Sequence, residues 1–164
     1  MVKFLLGIAI VAFTSYCGFV LAKKHRKRKL FFAQFKEFNE RFLSEVSYYR
    51  RPLGEFAFQY VYKGEFQIFL QNFFAEIDEL SQSEHRQISF DGFEFLTAED
   101  KNLIEDYFKM LGKGDSASQK TYFSAAKERL VKFCADADSE YKKYGDLYVK
   151  LGFLCGLLIL ILII

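Results

Sequence analysis

Two apolar runs at opposite ends of the chain dominate its pattern of hydrophobic and polar positions. Residues 4–22 carry no charged side chain, and residues 147–164 carry only Lys150. At 1.5 Å per residue in a helix, the two runs span about 28 Å and about 27 Å, close to the hydrocarbon thickness of a bilayer. Each run therefore predicts a transmembrane helix.

The segment that follows the first run repeats its apolar residues with a helical period. Between residues 30 and 49 they recur in steps of three and four, which predicts one buried helix face. We expect this helix to continue from the first span as a single rod. Pro52, the only proline, should end it and suits the first turn of a second helix, predicted over 53–62.

A third helix is predicted over residues 65–81, because apolar side chains again recur at helical spacing. Its predicted inward side chains are Phe66, Phe69, Leu70, Phe73, Phe74 and Ile77. Residues 82–96 lack this period and predict a packed loop around Asp91 and Gly92. Thr97 and Asp100 then form a capping box that should open a helix ending at Gly112. The predicted inward side chains of that helix are Leu103, Ile104, Tyr107, Phe108 and Leu111.

The last long helix is predicted to begin after Gly114 and to lead into the second apolar run. Asp115 or Ser116 should cap it, with Gln119 placed for the reciprocal hydrogen bond. Its helical stripe consists of Tyr122, Phe123, Ala126, Leu130, Phe133, Ala137, Tyr141 and Tyr144. The many phenylalanines on these faces are interpreted as core residues, not as an aromatic ligand site.

These elements predict an all-α protein. The expected architecture is an antiparallel helical bundle in the cytoplasm, flanked by an N-terminal and a C-terminal transmembrane helix. The predicted boundaries are 4–22 for the first span, 23–29 for a basic juxtamembrane segment (the collar), 30–146 for the helical domain and 147–164 for the second span.

Charge is distributed unevenly along the chain and indicates its topology. Six of the 23 Lys and Arg residues lie in the collar, whereas all 21 acidic residues lie between Glu37 and Asp146. Positive charge beside a span marks the cytoplasmic side, so both termini should lie outside the cytoplasm. A cleaved signal peptide is the main alternative for the first run, but translocating the collar directly behind it would be costly.

A basic segment of this kind has two candidate ligands, nucleic acid and anionic lipid. Because the collar directly abuts an apolar span, anionic lipid is favoured and no nucleic-acid binding is expected. The predicted membrane-surface residues are Lys23, Lys24, Arg26, Lys27, Arg28, Lys29 and Lys150.

The sequence contains no recognisable catalytic constellation. Phosphate-binding loops, nucleophile elbows and Cys/His pairs are missing from it, and the three cysteines and two histidines have neither disulfide nor zinc spacing. His85 lies in a polar run, and neighbouring acidic residues such as Glu99 and Asp100 point in different directions around a helix. We therefore predict a non-enzymatic protein without a cofactor, a metal or a small-molecule substrate.

Several residues follow one another in an order that is specific in combination. They are Glu45-Val46, Tyr49, Pro52-Leu53, Leu111-Gly112-x-x-Asp115-x-x-x-Gln119, Tyr144, Tyr148 and Leu151-Gly152-Phe153-Leu154-x-Gly156. Together with the two apolar ends, this order covers essentially the whole chain. It resembles stage III sporulation protein AB, a family of endospore-forming bacteria.

The resemblance implies a component of a secretion-like channel complex between mother cell and forespore. The helical domain would lie in the mother-cell cytoplasm, and the spans would lie in the outer forespore membrane. The family's domain is similar to the cytoplasmic domains of the F-type platform proteins of type II secretion systems. By that analogy, the expected partners are the cytoplasmic ATPase stage III sporulation protein AA and other membrane subunits of the same complex.

Two further hypotheses concern individual residues. Arg50, Arg51 and Glu55, near the predicted turn at Pro52, form a candidate contact for a partner protein. The alternative function is a membrane subunit that lines a transport path, for which polar residues of the spans would face a lumen. The candidates for that role are Thr14, Ser15, Tyr16 and Lys150.

Overall fold

The chain is helical through most of its length, and its all-α class is confirmed. The computed structural model describes residues 2–48, 59–79, 88–111, 113 and 115–163. Over these residues no strand occurs. The described helices are α1 (Val2–Tyr48), α2 (Glu65–Glu79), α3 (Ala98–Met110), α4 (Ser116–Glu140) and α5 (Asp146–Ile163), with a π-helical turn (Tyr141–Gly145) between α4 and α5.

The helix α1 is one uninterrupted rod, as the sequence predicted. It begins in the first apolar run, passes through the collar and reaches Tyr48. Its predicted end at Pro52 lies outside the described residues. Because helical structure continues through the collar, the predicted span boundary at residue 22 stays a prediction.

The chain is divided into two compact units. The first comprises Met1–Lys29 and Asp136–Ile164, and the second comprises Leu30–Ala135. The predicted domain boundaries at residues 30 and 146 stay predictions. Residues 136–146, predicted as part of the helical domain, belong to the unit that also holds the two apolar ends.

The second unit is built around the C-terminal half of α1. Phe31 lies 5.8 Å from Phe69, and Phe38 lies 5.8 Å from Phe66, between ring centroids. The contacting residue on α2 has a lower number where the contacting residue on α1 has a higher one, so the two helices run antiparallel. The buried aromatic side chains of this core are Phe31, Phe32, Phe35, Phe38, Phe42, Tyr62, Phe66, Phe69, Phe73, Phe74, Phe93, Phe95, Tyr107, Phe108 and Phe123. Their edge-to-face and stacked packing confirms the interpretation of these rings as core.

The helix α4 packs antiparallel to α1 on the same core. Phe42 meets Phe123 with ring centroids 4.8 Å apart, and Phe32 meets Phe133 at 5.5 Å. Phe123 and Leu130 are fully buried. Ala126 and Ala137 of the predicted stripe are buried as well, whereas its last two members, Tyr141 and Tyr144, lie in the π turn and not in α4. The antiparallel arrangement predicted for the bundle holds for α2 and α4 against α1.

The segment before α2 differs from the sequence prediction. The helix predicted over 53–62 lies mostly outside the described residues, and its last residues form an irregular loop. The amide of Tyr62 donates to Gln67 Oε1 at 2.7 Å, and the amide of Lys63 donates to Gln34 Oε1 at 3.0 Å. In a continuing helix, these two amides would donate to backbone carbonyl oxygens. They donate to side-chain oxygens instead, so the predicted helix is wrong at its C-terminal end.

The capping box at the start of α3 is confirmed. Thr97 Oγ1 accepts from the amide of Asp100 at 3.2 Å, and Asp100 Oδ2 accepts from the amide of Thr97 at 2.8 Å. The described part of the preceding loop, residues 88–96, contains two tight turns and buries Phe93, as a packed loop should. All five side chains predicted to point inward from α3 and its C-cap are buried.

The start of α4 is capped by Asp115, whose Oδ1 accepts from the amide of Ser118 at 2.8 Å. Hydrogen bonds from Ser118 lower the pKa of this carboxyl. The reciprocal bond predicted for Gln119 is wrong, because Asp115 as the cap places Ser118, not Gln119, at the third helical position. The Gln119 side chain instead donates to the carbonyl oxygen of Lys113 at 3.2 Å.

In the first unit, the N-terminal part of α1 packs antiparallel to α5 through small residues. A Cβ at Gly152 would lie 2.6 Å from the carbonyl oxygen of Thr14, and a Cβ at Gly156 would lie 2.9 Å from Val11 Cα. Only glycine therefore allows the two backbones to approach this closely, as in small-xxx-small packing of membrane helices. By length and composition, both helical ends of the chain are apolar enough to cross a membrane.

Candidate membrane-surface site

The collar occupies nearly two turns of α1, so its side chains radiate in all directions around the helix. Successive residues are rotated by about 100°. His25 lies between Arg28 and Lys29 on the resulting wheel, and these three residues contact the end of α4, the π turn and the start of α5. Lys23, Lys24 and the remaining basic residues project from the other half of the helix.

Arg28 is the most buried cation of the collar, at 7% exposure. Its guanidinium donates to Glu140 Oε2 at 2.9 Å. A charge-assisted hydrogen bond of this length compensates the guanidinium for much of the hydration it loses. Arg28 thus serves the contact between α1 and α4.

Lys29 forms the second ion pair between α1 and α4. Its Nζ lies 2.7 Å from Asp138 Oδ1, while Lys142 Nζ lies 2.6 Å from Asp138 Oδ2. Hydrogen bonds from Lys142 and then Lys29 hold the pKa of the Asp138 carboxyl below its ordinary value. The ammonium of Lys29 also lies 4.9 Å from the ring centroid of Tyr141 in the π turn.

His25 completes this side of the collar with ring contacts. Its imidazole stacks on Tyr144 and Tyr148, with centroid distances of 5.5 Å and 5.8 Å. Its Nδ1 lies 3.6 Å from Glu140 Oε2. We call the cluster of His25, Arg28, Lys29, Asp138 and Glu140 the clasp, because it joins α1 to the end of α4.

The opposite side of the collar is open to solvent. Lys23, Lys24 and Arg26 are exposed, and Lys27 is half-buried. Lys150 of α5, the remaining predicted membrane-surface residue, is exposed as well. The predicted set is therefore not uniform, since Arg28 and Lys29 belong to the clasp; lipid binding by the set stays a prediction.

The predicted partner contact of Arg50, Arg51 and Glu55 lies outside the described residues, and so does His85. These residues keep their status as predictions that substitution can test.

The polar residues proposed for a transport path do not converge. The hydroxyl of Thr14 donates to the carbonyls of Ile10 and Val11, each at 3.1 Å, and faces the glycine seam with α5. Tyr16 lies two positions further on and is 65% exposed. Because these side chains point to different sides of α1, they do not form one polar strip.

The described residues contain no group of three or more side chains able to hold a metal ion. Cys134 lies within the second unit, and its thiol donates to the carbonyl of Phe32 at 3.1 Å. Burial raises the pKa of this thiol, which leaves it a poor nucleophile. The geometry gives Cys134 a packing role.

Sequence reasoning missed one buried polar pair in the aromatic core. Asn39 is fully buried; its Nδ2 donates to the carbonyl of Phe123 at 3.3 Å, and its Oδ1 accepts from Tyr107 Oη at 2.9 Å. The sequence feature that could have indicated this pair is the polar Asn39, which follows Phe38 directly and lies among the apolar residues of α1. Such a pair fixes the relative positions of α1, α3 and α4.

The fold and the clasp define an all-α protein with a helical unit and two long apolar helical ends, which fits a membrane protein. Residues 3–164 match the family of stage III sporulation protein AB, and the chain belongs to this family. No curated protein and no solved structure matches the chain.

Proposed function

We propose that the chain is a non-enzymatic platform component of a secretion-like complex between mother cell and forespore. The observation that carries this proposal is the family match over residues 3–164, in a chain whose helical unit lies between two apolar helical ends. In the proposed arrangement, the apolar N-terminal part of α1 and the apolar helix α5 both span the outer forespore membrane. The helical unit lies in the mother-cell cytoplasm, where the collar faces the cytoplasmic leaflet.

The proposed activity is the docking of a cytoplasmic ATPase, stage III sporulation protein AA, onto the membrane subunits of the complex. The acidic second unit supports a protein-docking role, since its packed aromatic core holds the surrounding helices together. A packed core of this kind can hold a surface for a partner in a fixed geometry without requiring chemistry in the unit itself. The alternative of a transport path is not favoured, because its candidates Thr14 and Tyr16 point to different sides of α1.

The first test is genetic and concerns the sporulation role. Deleting the gene in the endospore-forming host should lower the titre of heat-resistant spores, and a copy expressed only in the mother cell should restore it. An unchanged titre, or rescue only from the forespore, would contradict the proposed role and location.

The second test concerns the docking of the ATPase. The detergent-solubilised full chain should retain the tagged ATPase, and the double variant Arg50→Glu/Arg51→Glu should reduce that retention. Charge reversal of Lys120 and Lys132 is the matched control, because both are exposed cations of the second unit and neither belongs to the collar or to the predicted contact. Retention that is absent with the wild-type chain would refute the docking role, whereas equal loss in both variants would refute the contact at Arg50 and Arg51.

A further inference from the structure

The collar has two chemically different halves, although its composition is nearly uniform. Arg28 and Lys29 pair with Glu140 and Asp138 at 2.9 Å and 2.7 Å. Both cations are paired within the first unit with carboxylates of α4, and Lys29 shares its carboxylate with Lys142. A headgroup phosphate that bound either of them would have to displace a carboxylate.

The other half presents cations beside apolar surface. Lys23, Lys24 and Arg26 are exposed. Immediately before them on the same side of the helix, Phe19 and Val20 are 56% and 47% exposed. Apolar side chains followed within one turn by cations match the boundary between hydrocarbon and headgroups, where long basic side chains reach the phosphates.

We propose that Lys23, Lys24 and Arg26 form a binding site for anionic lipid headgroups, separate from the clasp. This inference rests on the membrane embedding in the proposed function, but not on the ATPase or on sporulation. Lipid is the occupant because the three cations directly adjoin exposed apolar residues of the same helix. A nucleic acid would contact the cations without any use for that apolar surface.

The proposal assigns different consequences to the two halves of the collar. Neutralising cations of the lipid-binding half should remove a preference for anionic lipid while leaving the contact of α1 with α4 intact. Neutralising the ion pair of Arg28 and Glu140 should leave the lipid preference in place, since that change removes one positive and one negative charge that already neutralise each other.

The experiment measures lipid selectivity of the full chain reconstituted into phosphatidylcholine vesicles. Electron paramagnetic resonance of spin-labelled phosphatidylglycerol and spin-labelled phosphatidylcholine gives their relative association constant at the protein surface. The wild-type constant should exceed about 1, and in Lys23→Gln/Lys24→Gln/Arg26→Gln it should fall to about 1, the value for no selectivity. High salt should lower the wild-type constant in the same direction.

Matched variants decide whether the position of the charges matters. Lys23→Gln/Lys24→Gln removes two charges from the exposed half, and Arg28→Gln/Lys29→Gln removes two from the clasp. The first should lower the selectivity more than the second, and Arg28→Gln/Glu140→Gln should retain it. Equal losses in the two charge-matched variants would show that net charge alone sets selectivity and would overturn the site.

Three other outcomes would also overturn the proposal. They are a wild-type chain without phosphatidylglycerol selectivity, a chain that carbonate extracts from the vesicles, and duplex DNA retained on phosphatidylcholine vesicles by the wild type but not by the triple variant. Extraction by carbonate would refute the membrane embedding in the proposed function as well. Selectivity that persists in a chain dispensable for sporulation would instead refute the proposed function and support the lipid site.

Discussion

The buried pair of Asn39 and Tyr107 allows a quantitative test of the packing of the second unit. Tyr107 is 1% exposed, and burial holds the pKa of its phenol well above the ordinary value, so the hydroxyl remains a donor. Its partner Asn39 Oδ1, 2.9 Å away, lies on a fully buried side chain. Tyr107→Phe would leave this acceptor without its donor, at a cost of about 1–3 kcal/mol in the free energy of unfolding.

The reciprocal change gives a similar cost for a similar reason. Asn39→Leu leaves the Tyr107 hydroxyl buried without its acceptor, and the expected loss is again about 1–3 kcal/mol. In the double variant both polar groups are gone, so the loss should be smaller than the sum of the single losses by about 1–2 kcal/mol. Tyr122→Phe is the matched control, since its hydroxyl donates to the Asp106 carbonyl at an exposed position. That variant should lose no more than about 0.5 kcal/mol.

The assay must report unfolding of the second unit without tryptophan, which this chain lacks. Urea titration of the detergent-solubilised full chain, followed by a short pulse of protease, cleaves the unfolded fraction and gives the midpoint for each variant. Losses from Asn39→Leu and Tyr107→Phe that simply add, within about 0.5 kcal/mol, would refute the inferred coupling. A loss in Tyr122→Phe as large as that in Tyr107→Phe would refute burial as its cause.

Three further predictions concern a cap, the glycine seam and the clasp. Thr97→Ala should lower the free energy of unfolding by about 1 kcal/mol in the same urea assay, whereas Thr97→Ser should keep most of it because the hydroxyl cap remains. Gly152→Leu should destabilise the pairing of α1 with α5 by about 1–3 kcal/mol, seen as a lower thermal aggregation midpoint in detergent, while Cys155→Leu at an exposed position of the same helix should leave it unchanged. The depressed pKa of Asp138 means that its contribution is present above the ordinary carboxyl pKa and is lost as pH falls through the lower folded-state value. The thermal midpoints of wild type and Asp138→Asn should therefore differ at neutral pH and converge in acid; a difference that persists at the lowest pH would contradict the ion-pair explanation.

Local patterns in the sequence were sufficient to predict most helices and their inward faces. The steps of three and four around Phe35 and Phe38 identified the buried face of α1, because burial of one face imposes that period. Thr97 and Asp100 identified the start of α3, since both bonds of a capping box form between residues three apart. These predictions succeeded because every group involved lies within one or two turns of its partner.

Contacts between distant residues were beyond such reasoning. The loop before α2 depends on Gln34, whose side chain accepts from an amide 29 positions later in the sequence. The close approach of Gly152 to Thr14 depends likewise on the pairing of two helices from opposite ends of the chain. The Gly152-x-x-x-Gly156 spacing carried a signal for close helix packing, but it did not identify the opposing residue.

The division of the collar shows why a count of basic residues overstates the charge available to a membrane. The spacing of the collar residues on α1 is fixed by the helix, but the side that meets α4 is fixed by Asp138 and Glu140, more than 100 positions later. These carboxylates neutralise Arg28 and Lys29 within the first unit, so the two cations add to the stability of the helix pair and little to the attraction of anionic lipid. Attraction should accordingly follow the exposed cations of the collar.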